Sequence, residues 1–400
     1  MSISPPLSKR RRKKVKEDQA GAAISDDAHV VIYSWNVNGI TPFLQPAITT
    51  FFDATRNTAS PSSGDGLSTS ASLRDVLRKY EWPTMLLLQE VKINPDDVAT
   101  QRGVQRAVMP APDEGNGAVS YKTYFSLPSD KYNARGFGRK VYGVCSLIRE
   151  DFVERCVEKV RQVDWDAEGR FLVCETKARG AVPRLAIFNC YLVNGTDAPY
   201  NSETGAVVGN RHDRKLRVHE MLQHEVRTLE GNGGVAGQIK EIPMSSMVCT
   251  SNELSHDHSS SPKPSYAESL HVVVAGDLNI ARSSLDGHPN LRTFPPQHCV
   301  NRADFEKRFL SRSEVGEASE PCQPGASLQM IDSFRYLHPT KKGYTFYPRS
   351  RVFGASADRV DMILLSRALE SNLREAGMHE TSADRGPSDH IPLFAKLDFK

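Results

Sequence analysis

The sequence has no run of apolar residues near the length that a membrane-crossing helix requires, so we expect no membrane partner. Its first residues, MSISPPLSKRRRKKVKED, lack the apolar core of a secretory signal. The net charge is also small, +3 over 400 residues, which excludes a protein that is basic throughout. With 39% hydrophobic and 25% charged residues, the composition is typical of a soluble globular protein.

Closely spaced cysteine pairs are absent as well. The seven cysteines form no CxxC pair and no metal-like spacing with histidine. Several lie inside apolar segments such as YGVCSLI and IFNCYLV, where a thiol behaves as a small core side chain. An odd number of scattered thiols fits a reducing compartment, and we expect no zinc site.

The positive charge that exists is concentrated at the start of the chain. Residues 1–20 hold seven Lys and Arg against Glu17 and Asp18, a balance of +5, which leaves about −2 for the remaining residues. Residues 1–28 are predicted to be a disordered basic tail. We interpret its basic run as a nuclear localisation signal rather than a solvated tail, which predicts a nuclear protein. Pro5-Pro6 and the two acids argue against a mitochondrial presequence.

Residues 29–400 alternate strand-like and helix-like segments, which predicts one α/β domain and a monomer. Apolar strand segments are HVVIYSW, TMLLLQE, YGVCSLI, RFLVCET, RLAIFNCY, HVVVAG, VDMILLS and IPLFAKL. Helical spacing of apolar residues appears in SLRDVLRKYEW, with Ser72 as a candidate N-cap, and in DRKLRVHEMLQHEVRTLE. Three polar stretches near 53–70, 231–268 and 311–327 are interpreted as surface insertions, because their composition cannot form a core.

Polar side chains flank six of these buried strands, four at the end of the strand and two at its start. Asn36 and Asn38 follow the first strand and Glu90 the second, while the remaining positions are Tyr191 with Asn194, Asp277 with Asn279, Asp361, and Asp389 with His390. Each alone has a simpler explanation, such as a surface cap, a core aromatic or a turn histidine. Six such strand boundaries in one chain predict a shared site at one edge of the sheets.

These residue types suit hydrolysis of a phosphodiester with Mg²⁺, an ion that takes oxygen ligands and needs only one or two carboxylates. Glu90 and Asp389 are the candidate carboxylates. Asp277, helped by Asn279, could take the proton of an attacking water. The remaining candidates would stabilise the phosphoryl oxygens: His390 paired with Asp361, together with Tyr191 and Asn194.

The ordered motifs SWNVNG, LQEVK, YLVNG, GDLNIA, DSFR, DRVDMIL and SDH resemble the exonuclease III type of apurinic/apyrimidinic endonuclease, within the endonuclease/exonuclease/phosphatase superfamily. The resemblance spans roughly residues 30–398. It implies a four-layered α/β sandwich, two mixed β-sheets packed face to face with helices outside. It also implies one or two Mg²⁺ or Mn²⁺ ions, double-stranded DNA as partner, and incision 5′ to a damaged nucleotide, with removal of nucleotides or blocking groups from 3′ ends as a related activity.

Position by position, the resemblance places Asn36, Glu90 and Asp389 on the metal side and Lys92 near the site. It places the others in the set that binds phosphate, activates water or contacts the metal, namely Tyr191, Asn194, Asp277, Asn279, Asp361 and His390. The chain departs from the pattern at three positions, Val193, Met362 and Asp358. Where several relatives have an aromatic wall for an abasic sugar, this chain has Asp358, which leaves Phe346 to supply one wall.

Two alternatives to an abasic endonuclease stay open. The same fold could act on RNA, a 3′-blocked end, a phosphoinositide or another phosphodiester, although the PAWCDR-like text of inositol polyphosphate phosphatases is absent. The domain could also be an inactive scaffold that binds nucleic acid.

Three short segments have two interpretations each. QPAITTFF has the spacing of a sliding-clamp box, but we interpret it as a core helix and expect no clamp binding. In RHDRK, Arg211 and Arg214 either reach phosphates or mark an exposed helix start. In and just before GFGRKVYG, the basic residues 135, 139 and 140 either face DNA or form a solvated turn.

Overall fold

The computed structural model describes residues 28–44, 72–111, 114–115, 117–134, 141–231, 270–310 and 327–400. The basic tail, the QPAITTFF segment, the three insertions and the basic residues of GFGRKVYG lie outside this part of the chain, apart from single residues at their ends. The predictions made for those segments therefore stay predictions.

Two six-stranded sheets form the body of the molecule. The first has the order β15-β16-β1-β2-β4-β3 and the second the order β12-β14-β10-β7-β6-β5. The strands of the first sheet are β1 (His29–Asn36), β2 (Met85–Gln89), β3 (Tyr121–Ser126), β4 (Val144–Arg149), β15 (Leu373–Met378) and β16 (Leu393–Asp398). Those of the second are β5 (Val157–Arg161), β6 (Phe171–Thr176), β7 (Leu185–Tyr191), β10 (His271–Asp277), β12 (Ile331–Asp332) and β14 (Asp361–Leu365).

Two short hairpin pairs complete the strands, β8 (Pro199–Asn201) with β9 (Val207–Asn210) and β11 (Gly287–His288) with β13 (Ala357–Asp358). Both large sheets are mixed, because β1 runs parallel to β2 and β7 parallel to β10, whereas the other pairs in these sheets are antiparallel.

The two sheets pack face to face through apolar side chains. Every residue of β2 is buried, as are six of the seven residues of β10, so these strands are covered on both sides. One core lies between the sheets and includes Ile32, Leu87, Ile187 and Val273. On the outer face of each sheet, side chains of the strands and of the covering helices form a separate apolar cluster.

Helices cover the outer face of each sheet, whereas Phe152 and Cys156 of the third helix pack into the core between the sheets. The helices are α1 (Leu73–Lys79), α2 (Val98–Ala107), α3 (Glu150–Cys156), α4 (Arg211–Leu229), α5 (Gln297–Phe305), α6 (Ser333–Leu337) and α7 (Ser382–Arg385), with 3₁₀ turns at Thr41–Phe43 and Arg367–Asn372 and a π-helical turn at Glu306–Leu310. Ser72 caps α1 by accepting a bond from the Asp75 amide. The layer order of helices, sheet, sheet and helices confirms the expected four-layered α/β sandwich. None of the helices in the described ranges is long and apolar enough to span a bilayer.

The strand directions bring the predicted polar residues to one edge. β1 and β2 are parallel and end at Asn36 and Gln89, while β7 and β10 are parallel and end at Tyr191 and Asp277. β14 is antiparallel to β10 and therefore begins where β10 ends, with Asp361 opposite Asp277. Asp361, at the start of its strand, therefore lies at the same edge as the residues that end β1, β7 and β10.

A buried ion cluster braces the loops beside this edge. The Arg359 guanidinium is 1% exposed and donates to both oxygens of Asp332, at 2.7 and 3.1 Å, and to Asp286 at 2.7 Å. Arg282 and Arg335 contact the same two carboxylates. Although burial opposes the charge, Arg359 and Arg282 hold the pKa of Asp332 below its usual value.

Candidate active site

Asn36 connects the two sheets at the centre of the polar edge. Its amide Nδ2 lies 2.9 Å from Asp277 Oδ2, 3.1 Å from Glu90 Oε1 and 3.5 Å from His390 Nε2. Asn36 is fully buried at the end of β1, so this amide is fixed by the strand that carries it. One side chain therefore contacts groups from β10, from the residue after β2 and from the segment before β16.

The segment that carries Asp389 and His390 is tied to the end of β1. Ser388 Oγ donates to the Asn36 carbonyl at 2.6 Å and accepts from the His390 amide at 3.0 Å. The Trp35 indole donates to the His390 carbonyl at 2.9 Å. These three bonds hold the His390 ring against β1 without any contribution from the ring itself.

His390 and Asp361 form a buried ion pair. His390 Nδ1 lies 2.8 Å from Asp361 Oδ2, and Nε2 lies 3.9 Å from Asp277 Oδ2. Burial opposes the charged ring, but Asp361, with Asp277 and Asp389, outweighs it and raises the pKa of His390 to about 10. The imidazole is therefore a cation near neutral pH, with Nε2–H facing the space beside Asp277.

Asp277 is a buried carboxylate whose two oxygens have separate partners. Oδ1 accepts from the Asn279 amide at 2.9 Å, and Oδ2 accepts from Asn36. Asn279 has a positive φ of 53° and donates its own side-chain amide to the Leu192 carbonyl, which fixes this turn. Burial, followed by the nearby charge of Asp361, raises the pKa of Asp277 to about 7.

Glu90 lies on the other side of Asn36 and is ionised. Although burial opposes the charge, Lys92, Tyr191 and Asn36 lower the pKa of Glu90. Lys92 Nζ lies 2.9 Å from Glu90 Oε2. Burial and the charge of Glu90 raise the pKa of Tyr191 well above its usual value, so the phenol keeps its proton and acts as a donor.

Asp389 joins this group through Asn38. Asn38 Nδ2 donates to Asp389 Oδ1 at 2.9 Å, and Asn38 Oδ1 accepts from Lys92 Nζ. A hydrogen-bonded chain therefore runs from Asp389 through Asn38 and Lys92 to Glu90. Asn38, Glu90 and Lys92 all have positive φ, which shows that the backbone is specifically shaped around this point.

The donor set around Glu90 fits a divalent cation. The Glu90 carboxylate is ionised, and the neighbouring amide and carboxylate oxygens are hard ligands. The Lys92 ammonium, which contacts Glu90, shows that a cation is accommodated beside this carboxylate. Asp277, Asp361 and His390 also offer ligand atoms within 4.8 Å of one another. Contact of the metal with Asp277, Asn279 or His390 stays a prediction.

The remaining predicted residues lie at the margin of the site. Asn194 is exposed and is not hydrogen-bonded to this group within the described part of the chain. The Phe346 ring packs 5.0 Å from the His390 ring. Arg211 and Arg214 lie 4.0 and 3.6 Å from the buried carboxylate of Glu168, so both have an internal partner. Contact of either arginine with phosphate stays a prediction.

Sequence reasoning missed two cations that border the site. Lys215 is fully buried and donates to the Asn279 carbonyl at 2.7 Å; burial lowers its pKa to about 7. It shares the apolar face of α4 with Val218 and Leu222, and a lysine on such a stripe was the available signal. The Arg170 guanidinium lies 4.9 Å from the centre of the Tyr191 ring and donates to the Tyr191 carbonyl.

Solved structures with the same fold include an APE2 catalytic domain and two AP endonucleases. The APE2 catalytic domain of Xenopus laevis is 18% identical, with 92% of each chain covered and a TM-score of 0.53. LMAP of Leishmania major is 17% identical, with 93% of this chain and 88% of that chain covered and a TM-score of 0.55. The enzyme of Archaeoglobus fulgidus is 18% identical, with 92% and 99% covered and a TM-score of 0.51. At these identities the likeness establishes the fold.

No curated protein matches this sequence at a significant level. The family-level match is extensive, however, because residues 33–390 match the family described as Endonuclease/Exonuclease/phosphatase family. This range runs from β1 to His390 and so contains every predicted site residue. The chain belongs to the endonuclease/exonuclease/phosphatase family.

Proposed function

We propose that the protein is a Mg²⁺-dependent phosphodiesterase that cuts DNA on the 5′ side of an abasic site. The observation that carries this proposal is the convergence on Asn36 of side chains from the ends of separate strands, up to 354 positions apart in sequence. They supply a proton acceptor, a proton donor and an ionised carboxylate around one space. Hydrolysis of a phosphodiester needs all three of these functions.

Asp277 is the group best suited to accept a proton from water. Its pKa of about 7 lets the carboxylate be ionised at neutral pH and still hold a proton once it has accepted one. Asn36 and the Asn279 amide each donate to one of its oxygens and so fix its orientation. A water beside Asp277 would thereby be held and deprotonated as it attacks phosphorus.

His390 and Tyr191 are suited to the developing negative charge. His390 is protonated and its ring is held by Asp361, so Nε2–H can donate to a phosphoryl oxygen. The raised pKa of Tyr191 keeps its hydroxyl protonated beside Glu90. Both donors are buried, and a hydrogen bond to an anion gains strength where water is excluded.

Glu90 with Asn36 on one side and Asp389 on the other are the groups that would hold Mg²⁺ or Mn²⁺. When bound, such an ion neutralises charge on the phosphate and orients it. Lys92 would be displaced from Glu90 toward Asn38 or the incoming phosphate, since its ammonium is the cation that now contacts the carboxylate.

Observations outside the site geometry support DNA as the substrate and the nucleus as the compartment. Two of the three solved structures with this fold are of proteins named as AP endonucleases, and the third is named as an APE2 catalytic domain. The motifs of this chain are closest to that branch of the family. The basic run of residues 9–16 has the composition of a nuclear localisation signal.

The decisive experiment uses purified protein and a duplex with a single tetrahydrofuran abasic analogue, labelled at its 5′ end. We expect a Mg²⁺-dependent cut on the 5′ side of the analogue that leaves a 3′-hydroxyl. EDTA should abolish the product. If a reference enzyme cuts this duplex and the present protein does not, the abasic-site proposal fails.

A second candidate function keeps the same chemistry on another phosphodiester, such as a 3′-blocked end, RNA or a phosphoinositide. It is favoured by Asp358, an acid beside the site at a position where the family resemblance implies an aromatic. A substrate panel separates the candidates, because the preferred substrate should have the highest kcat/KM. An inactive scaffold would bind nucleic acid and cleave no member of the panel.

A further inference from the structure

A row of side chains extends from His390 away from the catalytic carboxylates. Phe346 lies between two antiparallel neighbours and is directly opposite His390 on one side and Asp358 on the other. Asp358 is in turn opposite Gly287. Directly opposite residues of antiparallel strands place their side chains on the same face. His390, Phe346 and Asp358 therefore face the same side.

The burial pattern shows that this side is the open one. Thr345 and Tyr347, on either side of Phe346, are buried, while Phe346 is partly exposed. Asp358 is likewise partly exposed between two buried residues. Two strand spacings put Asp358 about 10 Å from His390, roughly the distance from a phosphate to the far edge of the base on the same nucleotide.

The end of this row is polar. Gly287, opposite Asp358, has no side chain, and the backbone of Asn290 and Leu291 lies against it. The Asp358 carboxylate is 16% exposed, and its ion-pair partner Arg292 lies 3.6 Å away with 58% of its side chain exposed. At that distance the pair is looser than a direct hydrogen bond, so the oxygens of Asp358 keep capacity to accept from a ligand.

We propose that Phe346, Asp358 and Arg292 form a subsite that reads an unpaired guanine in the substrate of the proposed phosphodiesterase. Phe346 stacks on the base, and the two oxygens of Asp358 accept from guanine N1–H and N2–H. Arg292 donates to the adjacent O6. Stacking on an aromatic ring is common to all bases, so the selectivity comes from the carboxylate.

Guanine is the base that the chemistry of this pair selects. Only guanine presents two adjacent N–H donors on its Watson–Crick edge, and a carboxylate is an acceptor with two oxygens. A phosphate in the same position would be repelled by Asp358. The Watson–Crick edge is available only when the base is unpaired or extruded, as it is when an enzyme draws a nucleotide into a pocket.

The test compares guanine with hypoxanthine, which lacks only the N2 amino group. The substrates are duplexes whose 3′-terminal, mismatched nucleotide is deoxyguanosine or deoxyinosine, and the readout is kcat/KM for its removal. A second readout, independent of cleavage, is the Kd of the matching short single strands by fluorescence anisotropy in EDTA. The wild type should favour guanine by about 10- to 100-fold, the range for one hydrogen bond to a charged group.

The variant is Asp358→Asn, which keeps the shape of the side chain but turns a donor toward the base. Its preference for guanine should fall to about onefold. The matched control is Asp398→Asn, because that carboxylate is 18% exposed and lies 3.7 Å from Arg374 at the other end of the sheet. This control should keep the wild-type preference.

Three results would overturn the inference: equal handling of both bases by the wild type, a preference retained in Asp358→Asn, or a preference lost in Asp398→Asn. The inference rests on the proposed function, but different results would contradict the guanine subsite and the proposed function. A wild type that cleaves no DNA contradicts the proposed function, and the anisotropy ratio still decides whether the subsite reads guanine.

Discussion

Replacing Asp361 by Asn tests how the charge of His390 is maintained. Asp361 is fully buried and contacts His390 Nδ1 at 2.8 Å, and it is the largest cause that raises the pKa of His390 from 6.5 to about 10. That difference corresponds to about 5 kcal/mol in favour of the protonated ring. In the variant the pKa of His390 should fall toward its ordinary value, because burial opposes the charged ring and only Asp277 and Asp389 remain to support it.

The expected consequence is a loss of activity that depends on pH. Near pH 8 the wild-type ring is protonated and the variant ring is mostly neutral, so kcat/KM should fall by roughly 10²- to 10⁴-fold, the range for a positioned proton donor. Near pH 6 the variant ring regains its proton and the loss should be smaller. The assay is the pH profile of abasic-duplex cleavage, together with an NMR titration of the labelled histidine.

The same pair makes a linked contribution to stability. The pKa of His390 is raised by folding, so its stabilisation is fully present below pH 6.5 and is lost as pH rises through about 10. The matched control is Asp304→Asn, because Asp304 contacts the buried His219 at 2.9 Å in the outer helical layer. An activity loss of equal size near pH 6 and pH 8, or an equal loss in the control, would refute this explanation.

Three further predictions concern groups around the site. Lys215→Met should lower kcat/KM by at least about tenfold while circular dichroism stays native, because the buried Asn279 carbonyl loses its donor; unchanged kinetics would mean that Lys215 only fills space. Glu90→Gln should weaken Mn²⁺ binding in isothermal titration by at least about tenfold, and an unchanged affinity would place the ion elsewhere. Folding lowers the pKa of Asp332, so the stabilisation by this carboxylate is present above pH 3.8 and is lost as pH falls through its pKa in the folded protein. Arg359→Met should lower the free energy of unfolding, measured with urea near pH 7, by about 3–5 kcal/mol. A decrease below about 1 kcal/mol would contradict the ion-cluster argument.

The strands of the core were predictable because their sequences are apolar on both faces. β1, β2, β7 and β10 coincide with the segments expected from the sequence. β3 was missed because it is an edge strand in which only Tyr121 and Ser126 are buried, so its sequence YKTYFS has no continuous apolar run. Helix α2 was missed for a similar reason, since Val104 is its only buried residue.

The site was predictable to the extent that strands end in unusual side chains. The ends of parallel strands in one sheet must share an edge, which groups Asn36 with Glu90 and Tyr191 with Asp277. The two pairs meet because the sheets pack face to face. The partners inside the group depend on sheet order and on antiparallel returns, which single-sequence patterns do not contain. Lys215 was missed because its role comes from the packing of α4 against β10, a contact between distant segments.

The most direct test of the catalytic account is single-turnover cleavage of the abasic duplex with excess enzyme and Mg²⁺, comparing the wild type with Asp277→Asn and with Asp398→Asn as the distant control. The account predicts rapid cutting by the wild type and the control, and a rate at least about 10³-fold lower for Asp277→Asn with DNA affinity retained, since the amide cannot take the proton of water. Cleavage by Asp277→Asn at the wild-type rate would contradict it.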